Sequence, residues 1–141
     1  MITAIDTNIL IDVFTADPAF GEHSKAMLRT CIQEGAVIAC DVVWTETATV
    51  FESTSSCLSA MDQLGIEFSA LNCESSMQAA EAWRHYRQLG GKRDRIVADF
   101  LIGAHALIQC DRLLTRDRGF YRPYFKNLVI LNPLPPSTLV L

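Results

Sequence analysis

The sequence of 141 residues lacks long hydrophobic runs, internal repeats and low-complexity segments. No apolar run reaches the roughly 18 residues that a membrane-spanning helix needs, so we expect no membrane segment. The chain opens directly into MITAIDTNILIDVF, without a basic stretch or a small-residue cleavage site, and we expect no signal peptide. Half of its residues are hydrophobic, which favours a folded chain over a disordered one. We therefore predict one domain over residues 1–141, located in the cytoplasm.

Motifs for zinc and for disulfides are also missing. The five cysteines are odd in number, widely spaced and never in a C-x-x-C pair. The three histidines show no paired ligand spacing. Sites for structural zinc or other soft metals are therefore not indicated, and the cysteines are expected to be reduced thiols.

Positive charge is scarce in the first part of the chain and concentrated in the second. Residues 84–126 carry ten basic residues against four acids, a net charge of +6. Residues 1–83 carry two basic residues against twelve acids, a net charge of −10, so that the whole chain is at −4. Such asymmetry favours a polyanion-binding surface in the second part, although a solvated surface with clustered charges remains an alternative.

Patterns of short strands and helices alternate along the chain. Apolar runs bounded by turn residues predict strands at 2–5, 36–40, 66–68, 113–115 and 128–131. Helical spacing of apolar residues lies between these runs, as in the segment 74–89, where we expect Trp83 to be a core residue. The alternation predicts an α/β fold with a central parallel sheet of about four to five strands and helices on both faces.

One acid interrupts an otherwise apolar helix pattern in the segment 95–109. Apolar residues recur there at helical spacing, with Asp99 in their midst. A carboxylate in apolar surroundings costs several kcal/mol unless a cation or a hydrogen-bond donor meets it. Asp99 is therefore a candidate functional residue.

Two further acids follow predicted strands directly. Asp6 comes after the first strand, and Asp117 follows the strand at 113–115. Ligands bind at the carboxyl ends of the strands in open α/β sheets. Glu46 lies on the helix after the second strand, so that Asp6, Glu46, Asp99 and Asp117 could point into one crevice.

Two of these acids, Asp6 and Glu46, also have a purely structural explanation. Asp6 precedes a helix, where it could act as an N-cap. Glu46 lies near the start of a helix, where the helix dipole favours a negative charge. Asp41, at the end of the second strand, and Glu52 are alternatives to Glu46 as the second acid.

Four carboxylates in one crevice would repel one another unless a hard divalent cation such as Mg²⁺ joined them. A metal-bound water could then attack a phosphodiester. Asn8 and Thr115 are placed to orient a carboxylate or a bound water, and the basic segment would hold phosphate groups. A phosphatase, a phospho-receiver domain or a non-catalytic binding module could use a similar acidic site.

Three short motifs resemble the acidic motifs of the PIN domain. They are Asp6-Thr7-Asn8 after the first strand, ADFLIGAHA around Asp99, and TRDRGF around Asp117. Glu46, in WTETATVF, fits the position of the family's second acid. The small size and the segment TRDRGFYRPYF are similar to the VapC-like ribonucleases, the toxins of type II toxin–antitoxin pairs.

This resemblance implies a PIN-like three-layer sandwich and an endoribonuclease that depends on Mg²⁺ or Mn²⁺. It implies metal binding by Asp6, Glu46, Asp99 and Asp117. Asn8 and Thr115, with Arg95, Arg116 and Arg118, would form the surrounding shell or contact the RNA substrate. The resemblance also implies a homodimer and a cognate antitoxin protein whose tail occupies the groove.

Overall fold

Five strands and seven helices make up the part of the chain that the computed structural model describes, residues 1–91 and 97–133. In chain order they are β1 (Ile2–Ile5), α1 (Thr7–Phe14), α2 (Gly21–Glu34), β2 (Ala36–Cys40), α3 (Asp41–Ala48), α4 (Thr54–Leu64), β3 (Ile66–Ser69), α5 (Cys73–Gln88), α6 (Val97–Gln109), β4 (Arg112–Leu114), α7 (Tyr121–Tyr124) and β5 (Ile130–Leu131). Every observed strand overlaps a predicted one.

The last strand is shorter than its predicted range of 128–131. The amide of Leu128 donates to the carbonyl oxygen of Phe125 at 3.0 Å, which makes a turn at this point. Pairing with β4 is therefore limited to the segment that begins at Val129, whose carbonyl oxygen accepts from the amide of Leu113 at 2.9 Å.

All five strands are parallel, in the order β3-β2-β1-β4-β5. The chain moves from β1 to β2 and β3 in one direction and then returns to β4 on the other side of β1. Because such crossovers are right-handed, α5 and α6, which make the return, cover the face of the sheet opposite to that of α1–α4. The direction of winding reverses between β1 and β4, and such switch points are where open α/β sheets bind ligands. The predicted fold class is confirmed.

Helix α6 packs closely because small residues lie on its buried side. Gly103, Ala104 and Ala106 are all buried, and the ring of Phe125 lies directly against Gly103. The ring of Phe100 on the same helix stacks on Trp83 of α5, with ring centroids 6.3 Å apart. Trp83 therefore packs against the core, as predicted.

Among the helices of the described ranges, none combines the length and the apolar composition needed to cross a membrane.

We predict that Gly103→Ala destabilises the protein by about 1–3 kcal/mol, the usual cost of overpacking a core. An added Cβ would lie 2.5 Å from the ring of the buried Phe125, which has little room to move. Chemical denaturation of wild type and variant measures the effect. Gly119→Ala is the control because a Cβ there meets nothing within 4 Å; equal losses in both variants would contradict the prediction.

Candidate active site

Asp6 lies where β1 ends and α1 begins, at the switch point of the sheet. Its amide donates to the carbonyl of Leu114 in the neighbouring strand β4 at 2.9 Å. Its side chain is the N-cap of α1, with Oδ1 accepting from the amide of Thr7 at 2.7 Å. Asp6 is therefore an N-cap, as its structural explanation predicted. Its carboxylate is 5% exposed and lies at the carboxyl edge of the sheet.

Two hydroxyl groups hold the other oxygen of this carboxylate. Oδ2 of Asp6 accepts from Oγ1 of Thr115 at 2.7 Å and from the hydroxyl of Tyr121 at 2.8 Å. The Thr115 oxygen in turn accepts from Nδ2 of Asn8 at 3.3 Å and from the amide of Asp117 at 3.0 Å. Thr115 and Asn8 thus lie beside Asp6, as the sequence suggested, and Thr115 links Asp6 to Asp117.

Asp117 lies in the loop after β4, and its side chain organises that loop. Its Oδ1 accepts from the amides of Gly119 at 3.0 Å and Phe120 at 2.9 Å. Nδ2 of Asn132 donates to the carbonyls of Thr115 at 2.6 Å and Asp117 at 3.1 Å, which fixes the backbone on both sides of the turn. The carboxylate is half-buried.

A groove of about 410 Å³ opens beside Asp117. Its walls are mostly aromatic or formed by loop residues: Tyr86, Asp117, Gly119, Phe120, Pro123 and Tyr124. The groove thus gives access to the carboxylate from solvent along an aromatic wall.

Asp99 lies in the first turn of α6, close enough to act electrostatically on Asp6. Burial, assisted by the charge of Asp99, raises the pKa of Asp6 from 3.8 to about 6, against the lowering effect of its hydrogen bonds. Burial and the charges of Asp6, Asp99 and Asp117 raise the pKa of Tyr121 well above its usual value. Three of the four predicted acids therefore act on one hydroxyl group.

Glu46 is connected to this cluster through Thr7. Oγ1 of Thr7 donates to Oε1 of Glu46 at 2.7 Å, one residue from Asp6. Asp41, at the start of α3, has one buried oxygen without a hydrogen-bond partner in the described residues, and Glu52 is exposed. Glu46 as the second acid stays a prediction, with Asp41 as its closer competitor.

Arg116 forms an ion pair that the sequence analysis did not find. Its guanidinium donates to both carboxylate oxygens of Asp12, at 2.7 and 3.0 Å, and lies 4.3 Å from the ring centre of Phe20. Ser24 also donates to Asp12 at 2.8 Å. The pair ties the loop that carries Asp117 to helix α1. Asp12 could have been suspected as a single acid among apolar residues of a short helix.

The three arginines predicted to surround the site or contact RNA differ in their placement. Arg116 is held by Asp12, with its side chain 33% exposed. Arg118 is exposed, and Arg95 lies outside the described residues. Contact of any of them with RNA stays a prediction.

The described side chains around Asp6 suit a divalent cation in their chemistry but not in their spacing. Within residues 1–91 and 97–133, no three His, Cys, Asp or Glu side chains lie close enough together to hold a metal ion. The donor chemistry nevertheless suits Mg²⁺ or Mn²⁺, because the predicted ligands are all carboxylates and Asp99 acts electrostatically on Asp6. Binding one ion to all of them would require the side chains to move closer together.

Removing the Arg116 side chain should destabilise the fold. In Arg116→Met the buried Asp12 carboxylate keeps, among the described residues, only Ser24 as a donor. We expect a loss of about 2 kcal/mol, reduced from the full buried-pair value because Arg116 is partly exposed. Urea unfolding measures the loss. The exposed Arg118→Met is the matched control, and an equal stability of the two variants would refute a structural role for the ion pair.

The raised pKa of Asp6 predicts that the metal-depleted protein loses stability as the pH rises. Between pH 3.8 and about 6 the folded state retains a proton that the unfolded state has released, so the stabilisation present at low pH is lost by pH 7. The free energy of unfolding should fall by about 2 kcal/mol relative to Asp6→Asn between pH 4 and pH 7. Asp62→Asn, at an exposed position, should follow the wild type. Parallel curves for wild type and Asp6→Asn would contradict the prediction.

Comparisons with known proteins agree with this architecture. Solved structures match the chain over nearly its whole length. A chain of the VapBC2 complex of Rickettsia felis, bound to a DNA fragment from its promoter, is 18% identical with a TM-score of 0.72 and covers 94% of this chain and 99% of its own. A chain of VapBC-1 from nontypeable Haemophilus influenzae is 15% identical with a TM-score of 0.70 and covers 94% of this chain and 98% of its own.

A third structure, a toxin–antitoxin complex from Klebsiella pneumoniae, contains a chain 17% identical with a TM-score of 0.65, with coverages of 94% and 98%. At these identities the likeness concerns the fold, and it confirms the predicted PIN-like architecture. A search of curated proteins found no match. The family model of the PIN domain matches residues 3–126, and the chain therefore belongs to the PIN domain family.

Proposed function

We propose that this chain is an endoribonuclease that depends on Mg²⁺ or Mn²⁺ and acts as the toxin of a toxin–antitoxin pair in the cytoplasm. The observation that carries the proposal is the hydrogen-bonded link from the buried Asp6 carboxylate through Thr115 to Asp117 at the switch point of the sheet, with Asp99 close enough to act electrostatically on Asp6. Membership of the PIN domain family and the VapBC-type fold support it.

A divalent cation would offset the repulsion among these carboxylates, which is the reason to expect one here. Asp6, Asp99 and Asp117 would hold it, with Glu46 reaching the site beside Thr7. The bound metal would supply an activated water and stabilise charge on the leaving oxygen. The three hydrogen bonds of Thr115 fix the position of Asp6 relative to the loop that carries Asp117.

An RNA substrate is supported by the positive charge of residues 84–126. Arg84 and Arg87 on α5 and Arg118 and Arg122 near the Asp117 loop all belong to this segment. Such cations bind phosphate groups without regard to base sequence. The groove beside Asp117 would accept the strand.

A protein partner is supported by the structural neighbours, one of which is described as a toxin–antitoxin complex. We propose that a cognate antitoxin inhibits this chain and that the chain forms a homodimer.

A second candidate function is a non-catalytic binding module. It is favoured by the absence, from the described residues, of three metal-ligating side chains close enough to hold an ion. Such a module would bind RNA or a protein partner through the basic segment and would not cleave.

RNA cleavage separates the two candidates. Purified wild type, free of antitoxin, should cut a mixed RNA pool with Mg²⁺ or Mn²⁺ and not with chelator. We expect Asp99→Asn to lose at least roughly a hundredfold in rate, more than is usual for residues that only support metal ligands. Asp62→Asn, on α4, controls for copurified ribonuclease.

The same assay assigns the second acid. Glu46→Gln should be as inactive as Asp99→Asn, whereas Asp41→Asn and Glu52→Gln should cut at close to the wild-type rate. The proposal fails if wild type binds RNA and no divalent ion supports cleavage, or if chelator and Asp99→Asn leave cleavage unchanged.

A further inference from the structure

The two oxygens of the Asp6 carboxylate have different hydrogen-bond occupancy. A carboxylate oxygen offers two lone-pair sites. Oδ2 receives two donors, the hydroxyls of Thr115 and Tyr121, at 2.7 and 2.8 Å. Oδ1 receives only the amide of Thr7, at 2.7 Å, among the described residues. Oδ2 is therefore filled, and Oδ1 keeps one site for a further ligand.

The position of the Tyr121 hydroxyl is set by packing. Tyr121 is 1% exposed, and its ring contacts those of Phe120 and Phe125, with centroids 5.1 and 6.3 Å away. Phe125 lies against Gly103 of α6, the helix that carries Asp99. The hydroxyl is thus held by the core that also positions Asp99, and it is not free to leave Asp6 without repacking these rings.

The Thr115 hydroxyl cannot replace Tyr121 as the second donor to Oδ2. Its single proton is already given to Asp6, and its oxygen accepts from Asn8 and Asp117. Loss of the Tyr121 hydroxyl would leave Oδ2 with one donor and one open lone-pair site, so that Oδ1 would no longer be the one oxygen open to an ion.

We infer that Tyr121 is a positioning residue for metal binding: its hydroxyl holds Oδ2 of Asp6 so that Oδ1 faces the ion. This inference rests on the proposed metal-dependent function. It adds a residue to the site that lies four positions after Asp117 and is not an acid.

Direct Mn²⁺ binding to the metal-depleted, full-length protein tests the inference, with free Mn²⁺ measured by electron paramagnetic resonance. We expect Tyr121→Phe to raise the dissociation constant about tenfold or more, the usual effect of losing a group that orients a metal ligand. Ser59→Ala removes an exposed hydroxyl from α4, outside the lining of the groove and without removing a hydrogen bond seen in the described residues, and its Mn²⁺ affinity should stay within about twofold of wild type.

A conservative replacement separates positioning from a general loss of structure. With 4-aminophenylalanine at position 121, an N–H donor is retained at nearly the same place, and the affinity should return to within about threefold of wild type. This variant also decides the matter if Tyr121→Phe fails to fold.

Three results would overturn the inference. If Tyr121→Phe binds Mn²⁺ as tightly as wild type or more tightly, Tyr121 does not position the ligand, while the proposed function stands. If the 4-aminophenylalanine protein is folded and binds Mn²⁺ as weakly as Tyr121→Phe, loss of the hydrogen-bond donor is not the cause of the weaker binding. If folded wild type binds no Mn²⁺ at millimolar concentration, the proposed metal dependence fails and the inference fails with it.

Discussion

The hydrogen bonds to the Asp6 carboxylate are the interaction on which the site depends. A carboxylate that is 5% exposed needs donors, and three separate parts of the chain supply them: the start of α1, the end of β4 and helix α7. The same bonds join β1 to β4 at the place where the direction of the sheet reverses. The Asp6 side chain therefore caps α1, lies at the switch point of the sheet and contacts a tyrosine of the core.

This arrangement costs stability in the absence of a cation. Burial and the charge of Asp99 raise the pKa of Asp6 to about 6, which means that its ionised form at neutral pH is unfavourable in the folded protein. Buried groups with raised pKa values, close to other charges of the same sign, are more common at functional sites than elsewhere. The Asp12–Arg116 pair has the opposite character, since its charges compensate each other and hold the loop of Asp117 in place.

Much of the fold and part of the site could be predicted because their signals are local. Asp6 and Asp117 follow apolar runs directly, and alternating strands and helices are enough to indicate a parallel sheet. The Tyr121 hydrogen bond and the pairing of Arg116 with Asp12 were not predicted, because these contacts join residues 115 and 104 positions apart and such distances leave no periodic pattern. The placement of β4 next to β1 in the sheet also depends on the whole chain, so no local pattern indicates it. Glu46 lies in the last turn of α3 and not near its start, so the helix-dipole explanation offered for it was wrong; of the two acids only Asp41 is in the first turn. The second acid could not be assigned because the sequence pattern did not place the start of this helix.

The most direct test of a cation site at Asp6 is the midpoint of thermal unfolding of metal-depleted protein as Mn²⁺ is added at pH 7. An ion that binds only the folded state stabilises it by about 2.7 kcal/mol at a hundred times its dissociation constant. The account predicts a saturable rise of several degrees in wild type, and no rise in Asp6→Asn. No rise in wild type at millimolar Mn²⁺, or the same rise in Asp6→Asn, would contradict it.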